Sequence, residues 1–249
     1  MPEQVRPGML RVTADVLSVQ TLTPHMRRIT VGGTEVSAFL QMEGVDVPGA
    51  WVKVFIPTGE GRAYTVRNID YAAGTLDIDF VLHGDEEGVP SGPVSGWAGH
   101  AMAGERISMA GPRNGGFALP SDVDWVILAG DATALPAMQA IARVLPAGIR
   151  VKMYAEVHSE ADQQPVESRA ALEVRWLYTQ ATHGSVLSEA LLQSALPEGA
   201  GYIWIAGESG AVRRLRTHYL QVCGIAPHRL SAKGYWKAGE ADHRDRKKV

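Results

Sequence analysis

The segment Arg62-Ala63-Tyr64-Thr65-Val66-Arg67 places an aromatic ring, a hydroxyl group and two guanidinium groups within one short stretch of chain. Side chains alternate faces along a strand, so Arg62 and Tyr64 are predicted to point one way and Thr65 and Arg67 the other. A tyrosine ring can stack on a planar cofactor, and an arginine can pair with a phosphate oxygen. The segment therefore predicts a site for a large planar cofactor that carries phosphates. Taken alone, it is also consistent with an ordinary edge strand that has a solvated basic face.

A glycine-rich stretch follows further along the chain. It begins at His83-Gly84 and ends with Gly92-Pro93-Val94-Ser95-Gly96-Trp97. A loop of this kind that leads into a helix can direct backbone N–H groups at a pyrophosphate, and the hydroxyl of Ser95 would add a donor. The alternatives are a plain surface loop and, for His83, a structural histidine at the end of its strand.

The segment Gly130-Asp131-Ala132-Thr133-Ala134-Leu135-Pro136 follows a continuous apolar run at 125–129 and opens a helical pattern. Ligands dock at the carboxyl ends of the strands in open α/β sheets, which makes this turn a candidate ligand site. It lacks the Gly-x-Gly-x-x-Gly spacing of a standard dinucleotide fingerprint. Asp131 or Thr133 could cap the helix, contact a ligand, or do both.

Two adjacent aromatic residues stand close to the C-terminus, in Lys233-Gly234-Tyr235-Trp236-Lys237-Ala238-Gly239. Aromatic rings flanked by lysines can shield a planar ring or help to hold an anionic ligand. The alternative is that Tyr235 and Trp236 only pack the last strand against its sheet.

The composition excludes several classes of function. The 249 residues include 24 basic and 27 acidic side chains, whereas general nucleic-acid binding requires a strongly basic surface. The only cysteine, Cys223, cannot form an internal disulfide or hold an iron–sulfur cluster, and the eight histidines form no evident catalytic triad or metal-ligand motif. Any electron chemistry would therefore depend on a bound organic cofactor or an external metal.

The chain is expected to be cytoplasmic. Its apolar runs fall short of the roughly 18 residues that a membrane-spanning helix needs, so no membrane insertion is expected. The N-terminal residues 1–6 lack the apolar core of a signal peptide.

The two halves of the chain have different hydrophobic periods. From about residue 9 to residue 118 the period is two, as in Leu76, Ile78 and Phe80, with frequent glycine turns. Short strands with frequent turns predict a small antiparallel β-barrel in residues 1–119.

Residues 120–249 alternate apolar strand-like runs with amphipathic helical stretches. This alternation predicts an α/β domain with a doubly wound parallel sheet. One helix is expected over 209–223, with Ser209 as its N-cap. The charged residues 240–249 are expected to form a loose tail.

These segments, in this order, resemble the siderophore-interacting protein family of flavin-dependent ferric-siderophore reductases, over about residues 10–239. The resemblance is carried by Val52-Lys53-Val54, Arg62-Ala63-Tyr64-Thr65-Val66-Arg67, Asp79-Phe80-Val81-Leu82-His83-Gly84, Gly92-Pro93 with Trp97, Gly130-Asp131-Ala132-Thr133-Ala134-Leu135-Pro136, Ala206-Gly207-Glu208 and Gly234-Tyr235-Trp236. It implies a ferredoxin–NADP reductase-like architecture, with an FAD-binding barrel followed by a domain that resembles an NAD(P)H-binding module.

The resemblance also implies roles for individual residues. Arg62, Tyr64, Thr65 and Arg67 would contact the flavin, and His83 with the segment Gly92-Pro93-Val94-Ser95 would lie near its diphosphate. Asp131, Thr133 and Ala134 would line the cleft where the hydride donor meets the flavin. Tyr235 and Trp236 are also expected to contact the cofactor. Lys53 would attract the siderophore, together with Lys233 and Lys237.

The implied reaction is the reduction of Fe(III) to Fe(II) in a ferric siderophore, with electrons from NAD(P)H passing through FAD and with no catalytic acid, base or nucleophile. Two alternatives are kept. One is a flavin reductase of the same architecture that uses another acceptor, or a ferredoxin as electron donor. The other is a non-catalytic siderophore-binding protein. The choice between NADH and NADPH stays open, because Arg213, Arg214 and Arg216 lie on a helix whose exposed face is expected to be charged in any case.

Overall fold

The computed structural model describes residues 11–82, 92–179 and 185–240. His83, the first part of the glycine-rich stretch and the charged tail after Glu240 lie outside these described residues.

The first half of the chain forms a closed β-barrel. Its strands are β1 (Arg11–Thr23), β2 (Met26–Gly32), β3 (Trp51–Phe55), β4 (Gly61–Asp70), β5 (Thr75–Val81) and β6 (Arg106–Arg113), with helices α1 (Thr34–Phe39) and α2 (Pro93–His100). The order around the barrel is β1-β2-β5-β4-β3-β6, and all neighbouring strands are antiparallel. Alternate residues such as Leu76, Ile78 and Phe80 are buried in the barrel core, which is why the period of two is visible in the sequence.

The second half forms a five-stranded parallel sheet. Its strands are β7 (Trp125–Asp131), β8 (Arg150–Val157), β9 (Ala171–Tyr178), β10 (Gly201–Glu208) and β11 (Leu230–Trp236), in the order β11-β10-β7-β8-β9. Helix α3 (Leu135–Val144) packs on one face, and α4 (Ser185–Leu192) and α5 (Ser209–Thr217) pack on the other. All residues of β7 are buried, as expected for a central strand that is covered on both faces.

The predicted barrel followed by a doubly wound parallel sheet is confirmed. The predicted domain boundary, between residues 119 and 120, falls in the segment that joins β6 to β7. Among the described residues, every helix is too short or too polar to cross a lipid bilayer.

The helical stretch predicted at 209–223 is present, but its predicted N-cap was wrong. The N-cap of α5 is Glu208, whose carboxylate accepts a hydrogen bond from the backbone N–H of Ala211 at 2.9 Å. Ser209 is instead the first helical residue, and its side chain is buried. The α-helix ends at Thr217, and a π-helical turn over His218–Val222 follows it. Periodicity alone does not distinguish this turn from a continued α-helix.

Candidate functional site

Strand β4 carries the Arg62–Arg67 segment and gives its side chains the alternation that the sequence predicts. Tyr64 lies opposite Val52 of β3, a fully buried barrel residue, whereas Thr65 lies opposite the half-buried Trp51. Directly opposed residues share a face of the sheet, so Tyr64 faces the barrel core and Thr65 faces outward. A register shift after Val66 then turns the strand at Arg67.

Tyr64 is the end of a row of three aromatic rings. Its ring centroid lies 4.2 Å from that of Phe80, and the ring of Phe80 lies 5.8 Å from that of Trp97 on α2. The Trp97 indole donates to Glu105 at 2.8 Å, which fixes the far end of the row. Burial raises the pKa of the Tyr64 phenol, so the ring is neutral at physiological pH.

Arg67 lies at the junction between the barrel and the α/β domain. Its Nε donates to Oε1 of Gln139 on α3 at 2.9 Å, and it lies 3.7 Å from a carboxylate oxygen of Asp79. Arg28 also binds Asp79, with two hydrogen bonds of 2.7 and 2.8 Å. Burial lowers the pKa of Arg67 to about 10, although Asp79 acts against this shift. The Nη1 atom of Arg67 is buried and has no hydrogen-bond partner among the described residues.

Arg62, at the start of the motif, is only half buried. Its Nη1 donates to the backbone oxygen of Gly61 at 2.9 Å. The two arginines of the motif therefore occupy different environments, one towards solvent and one within the junction of the two domains.

Helix α2 begins at the end of the glycine-rich stretch. Gly92 is its N-cap and Pro93 its first residue, a position where the missing N–H of proline has no cost. Buried Ser95 donates its hydroxyl to the backbone oxygen of Val81 at 3.1 Å and so ties α2 to β5. The first N–H groups of a helix have no partner within the helix, which makes the region around Val94 suitable for an anionic group.

Asp131 connects three strands at the carboxyl edge of the parallel sheet. Its buried carboxylate accepts hydrogen bonds from the backbone N–H and hydroxyl of Thr133, from the backbone N–H of Glu208 at 2.9 Å and from the Trp236 indole at 2.8 Å. The N-cap of α3 is Ala134, and no side chain caps it. The suggestion that Asp131 or Thr133 caps this helix was therefore wrong.

Tyr235, on β11, lies beside Asp131 at the carboxyl edge of the parallel sheet. Its hydroxyl is buried and lies beside Thr65 of the barrel. Burial raises the pKa of the Tyr235 phenol, and Asp131 raises it further, while Thr65 of the barrel acts in the opposite direction. Thr65, Asp131, Tyr235 and Trp236, which are far apart in the sequence, therefore meet where the barrel adjoins the carboxyl edge of the sheet.

Each of the three predicted siderophore-binding lysines makes a contact of its own within the protein. Lys233 donates to the backbone oxygen of Asn114 at 2.9 Å, and Lys237 forms an ion pair with Glu240. Lys53 lies on the outer face of β3, with its ammonium group 5.7 Å from the centre of the Phe55 ring.

Two cations near Lys53 were missed by the sequence analysis. Arg11 also lies over the Phe55 ring, and Arg113 lies over Trp51. The alternation of Trp51, Lys53 and Phe55 could have indicated a shared aromatic and cationic face. It could not have indicated which distant strands supply the further cations.

The described residues fit an FAD molecule. The partly exposed ring of Tyr64, the N-terminus of α2 and the cation Arg62 provide the three kinds of contact that a flavin ring and its diphosphate need. The Nη1 atom of Arg67 is a buried polar atom that the described protein groups leave unsatisfied at this junction. Among the described residues, no group of three or more histidine, cysteine or acidic side chains could hold a metal ion.

Comparison with known proteins agrees with this assignment. Residues 15–62 and 58–116 match the family described as the siderophore-interacting FAD-binding domain, and residues 123–239 match the siderophore-interacting protein family. The ferric vibriobactin reductase ViuB of Vibrio cholerae is 31% identical over 98% of this chain and 95% of its own length. IrtA, a mycobactin import ATP-binding/permease protein of Mycolicibacterium smegmatis, is 30% identical over 92% of this chain, which spans only 26% of IrtA.

Solved structures give the same result. A siderophore utilization protein from T. fusca superposes with a TM-score of 0.82 at 28% identity, over 95% of this chain and 96% of that chain. A ferredoxin NADP+ reductase from Neisseria gonorrhoeae shares the fold, with a TM-score of 0.65 at 17% identity, over 91% of this chain and 99% of that chain. The chain belongs to the siderophore-interacting protein family, and its barrel is the FAD-binding domain of that family.

Proposed function

We propose that this protein uses FAD to reduce the Fe(III) of a ferric siderophore to Fe(II) inside the cell, with NAD(P)H as electron donor. The observation that carries the proposal is the meeting of Thr65, from the flavin motif, with Asp131 and Tyr235 at the carboxyl edge of the parallel sheet. This edge is where open α/β sheets bind their ligands. ViuB, which this chain matches along nearly its whole length, is named as a ferric reductase.

FAD, when bound, can accept two electrons together from a hydride and release them one at a time. Tyr64 provides the aromatic face for the ring, Thr65 a hydroxyl beside it and Arg62 a cation for the diphosphate. The N-terminus of α2, Gly92-Pro93-Val94-Ser95, is proposed to bind the same diphosphate, with the backbone N–H groups of Val94 and Ser95 as donors. His83 is proposed to lie near it.

The α/β domain provides the other wall of the cleft. Asp131, Thr133 and Ala134 form the turn at which NAD(P)H would approach, and Tyr235 and Trp236 cover it from β11. Arg67 is proposed to complete the flavin site from the junction, through the nitrogen that its protein partners leave unsatisfied.

Iron is the substrate of this reaction and not a resident metal. Hard oxygen ligands of a siderophore hold Fe(II) less tightly than Fe(III), so reduction releases the iron. Lys53, with Lys233 and Lys237, is proposed to attract anionic ferric siderophores. The protein carries a formal net charge of −3, so the attraction has to come from a local patch.

Replacing Lys53 with alanine is expected to slow the reduction of anionic ferric siderophores several-fold while FAD content stays unchanged, and the defect should shrink as salt is added. Flavin absorbance and Fe(II) release measure the two effects. Lys152→Ala, on the distant strand β8, is the matched control because it removes the same charge. Loss of bound FAD in Lys53→Ala would instead assign Lys53 to the cofactor or to the barrel.

The donor is identified by anaerobic reduction of the flavin-loaded protein with NADH, NADPH or a reduced ferredoxin in separate reactions. Bleaching near 450 nm, roughly where oxidised flavin absorbs, is expected with at least one nicotinamide. If only reduced ferredoxin bleached the flavin, the proposed reductase activity would stand and NAD(P)H would be rejected as its electron donor.

A further inference from the structure

Gln139 is a buried amide on helix α3, and only 3% of it is exposed. Its Oε1 accepts a hydrogen bond from Nε of Arg67 at 2.9 Å, and its Nε2 donates to the backbone oxygen of Pro165 at 3.1 Å. One partner donates and the other accepts, so the two ends of the amide cannot be exchanged. The α/β domain therefore holds Arg67 of the barrel through one fixed, uncharged group.

An irregularity in β4 brings Arg67 to this helix. Val66 lies opposite Ile78, and Asn68 lies opposite Asp77, so Arg67 is an extra residue in the ladder between β4 and β5. A bulge of this kind re-aims a side chain, and bulges are common beside functional sites. The guanidinium group of Arg67 consequently lies against α3.

The charges around Arg67 do not cancel. Burial has the largest effect and lowers the pKa of Arg67 to about 10, so the side chain is still charged at pH 7. Four charged neighbours also act on this pKa, two arginines that lower it and two aspartates that raise it: Arg143, Arg28, Asp79 and Asp77. Three arginines thus face two aspartates, and one positive charge of this group is left over.

Arg28 takes up most of the charge of Asp79. It donates hydrogen bonds of 2.7 and 2.8 Å to the two carboxylate oxygens, the paired geometry that is strongest for an arginine and a carboxylate. Nε of Arg67 is 3.7 Å from one of these oxygens, which is beyond hydrogen-bond length. The protein therefore neutralises the charge of Arg67 only in part.

This charge lies close to the candidate flavin site. Arg67 is two positions after Thr65 on β4, a separation of about 7 Å along a strand, and Thr65 lies beside Tyr235 in the cleft. Reduction by two electrons and one proton adds one negative charge to FAD, and a positive charge near the ring favours the reduced form. A neutral amide can hold a guanidinium group there without cancelling its charge.

We propose that Gln139 is a positioning residue of the flavin site, which holds Arg67 beside the bound FAD and, because its amide is neutral, lets the charge of Arg67 raise the reduction potential of the flavin. The inference rests on the proposed function and specifies how its cofactor is regulated. Helix α3 begins at the turn where NAD(P)H would approach, so the same helix receives the donor and tunes the acceptor of its electrons.

The test compares reduction potentials instead of turnover. FAD-loaded protein is reduced anaerobically with dithionite in the presence of a reference dye, and absorbance gives the equilibrium between flavin and dye. Gln139→Glu keeps the shape of the side chain and its hydrogen bond with Arg67, but adds a negative charge at that contact. This variant is expected to shift the equilibrium about ten-fold towards oxidised flavin, or about 30 mV for two electrons.

Two further variants make the test specific. Gln139→Met removes both hydrogen bonds without adding a charge. It should weaken FAD binding about three-fold, measured by the fluorescence of flavin released on dilution, and should shift the dye equilibrium less than about three-fold. Gln163→Glu is the matched control, because it adds the same charge to an exposed side chain in the segment after β8, where solvent screens it. Its equilibrium should shift less than about two-fold.

An unchanged dye equilibrium in Gln139→Glu would overturn the proposal, and so would an equal shift in Gln139→Met or Gln163→Glu. Unchanged FAD affinity in Gln139→Met would also contradict it, since Gln139 would then not hold Arg67 in place. These measurements need neither NAD(P)H nor a siderophore. Failure to release Fe(II) from a ferric siderophore, with the effect of Gln139→Glu on the potential intact, would instead reject the reductase activity and leave the tuned flavin site.

Discussion

Asp131 shows how one side chain can hold a site together. One of its carboxylate oxygens accepts both donors of Thr133, and the other accepts the backbone N–H of Glu208 and the indole of Trp236. All these partners donate, so an ionised carboxylate satisfies them and a group with its own N–H cannot. The carboxylate thereby fixes the ends of β10 and β11 to the turn that begins α3.

Asp131→Asn is expected to destabilise the protein by about 2 kcal/mol, although asparagine has nearly the same shape as aspartate. The amide N–H₂ group would replace one of the two carboxylate oxygens and would then face hydrogen-bond donors. Urea unfolding measures the loss. Trp236→Phe, which removes only one of the donors, should cost less. If Asp131→Asn were as stable as the unaltered protein, the hydrogen bonds to Asp131 would not have the role assigned to them.

At the scale of an element, the turn from β7 to α3 depends on close backbone approach. A Cβ atom on Gly130 would lie 2.5 Å from Cβ of Ala134 and 2.7 Å from the backbone oxygen of Ala206 on β10. Neither contact involves the flexible end of a side chain, so the backbone itself would have to move. The glycine allows β7, β10 and the start of α3 to meet.

Gly130→Ala is therefore expected to cost about 1–3 kcal/mol of unfolding free energy, the range for overpacking of a rigid site. Gly99→Ala is the matched control, because Gly99 lies in helix α2 and its added Cβ would have no neighbour within 4 Å. That variant should be neutral or slightly stabilised, since alanine favours a helix more than glycine does. Thermal unfolding distinguishes the two variants, and equal effects would contradict this account.

Elements with one buried face could be predicted from the sequence, and their contacts with distant elements could not. The helix α3 was evident because Leu135, Met138 and Ile141 share one buried stripe. The alternation in β5 also placed Asp79 on the polar side. Asp79 is nevertheless buried, because Arg28 and Arg67 cover it, and no local pattern reveals a partner that a separate strand provides.

The same limit applies to the candidate site. The motif that includes Thr65 and the turn that includes Asp131 could be found as segments with suitable chemistry. The hydrogen bond between Arg67 and Gln139 joins residues 72 positions apart, and Arg11 reaches the Phe55 ring through pairing of β1, β6 and β3. Such contacts depend on barrel closure and on how the domains pack, which a single sequence does not specify.

At the scale of the whole molecule, polar contacts join the barrel to the α/β domain. His25, in the turn between β1 and β2, lies 3.0 Å from Asp162, which follows β8. Burial acts to raise the pKa of Asp162, but hydrogen bonds from His25 and Ser159 leave that pKa below its usual range. The hydrogen bonds between His25 and Asp162 and the contact of Arg67 with Gln139 hold the two walls of the candidate cleft together.

The pH dependence follows from the sign of this shift. A lowered pKa means that the folded protein binds the proton of Asp162 more weakly than the unfolded chain does. The stabilisation is therefore complete above the ordinary aspartate pKa of about 3.9 and is lost as the pH falls through the lower folded-state pKa.

Asp162→Asn should accordingly cost about 1 kcal/mol at pH 7, and the difference from the unaltered protein should narrow below about pH 4. Unfolding by urea at several pH values measures this. Asp122→Asn is the control, because Asp122 pairs with Arg229 within the α/β domain and is largely exposed. If the difference in unfolding free energy between Asp162→Asn and the unaltered protein stayed constant down to pH 3, the charge of Asp162 would not be what joins the domains.

The most direct test of the central claim is an anaerobic experiment with the FAD-loaded protein. NADH or NADPH is added first, then a ferric siderophore, while the flavin absorbance is followed and a ferrous-specific chelator traps released iron. The account predicts that the flavin bleaches with the nicotinamide, recovers its colour when the siderophore is added, and yields two Fe(II) ions for each flavin reoxidised, since a flavin passes on two electrons. A reduced flavin that stays bleached in the presence of excess ferric siderophore, with no trapped Fe(II), would contradict it.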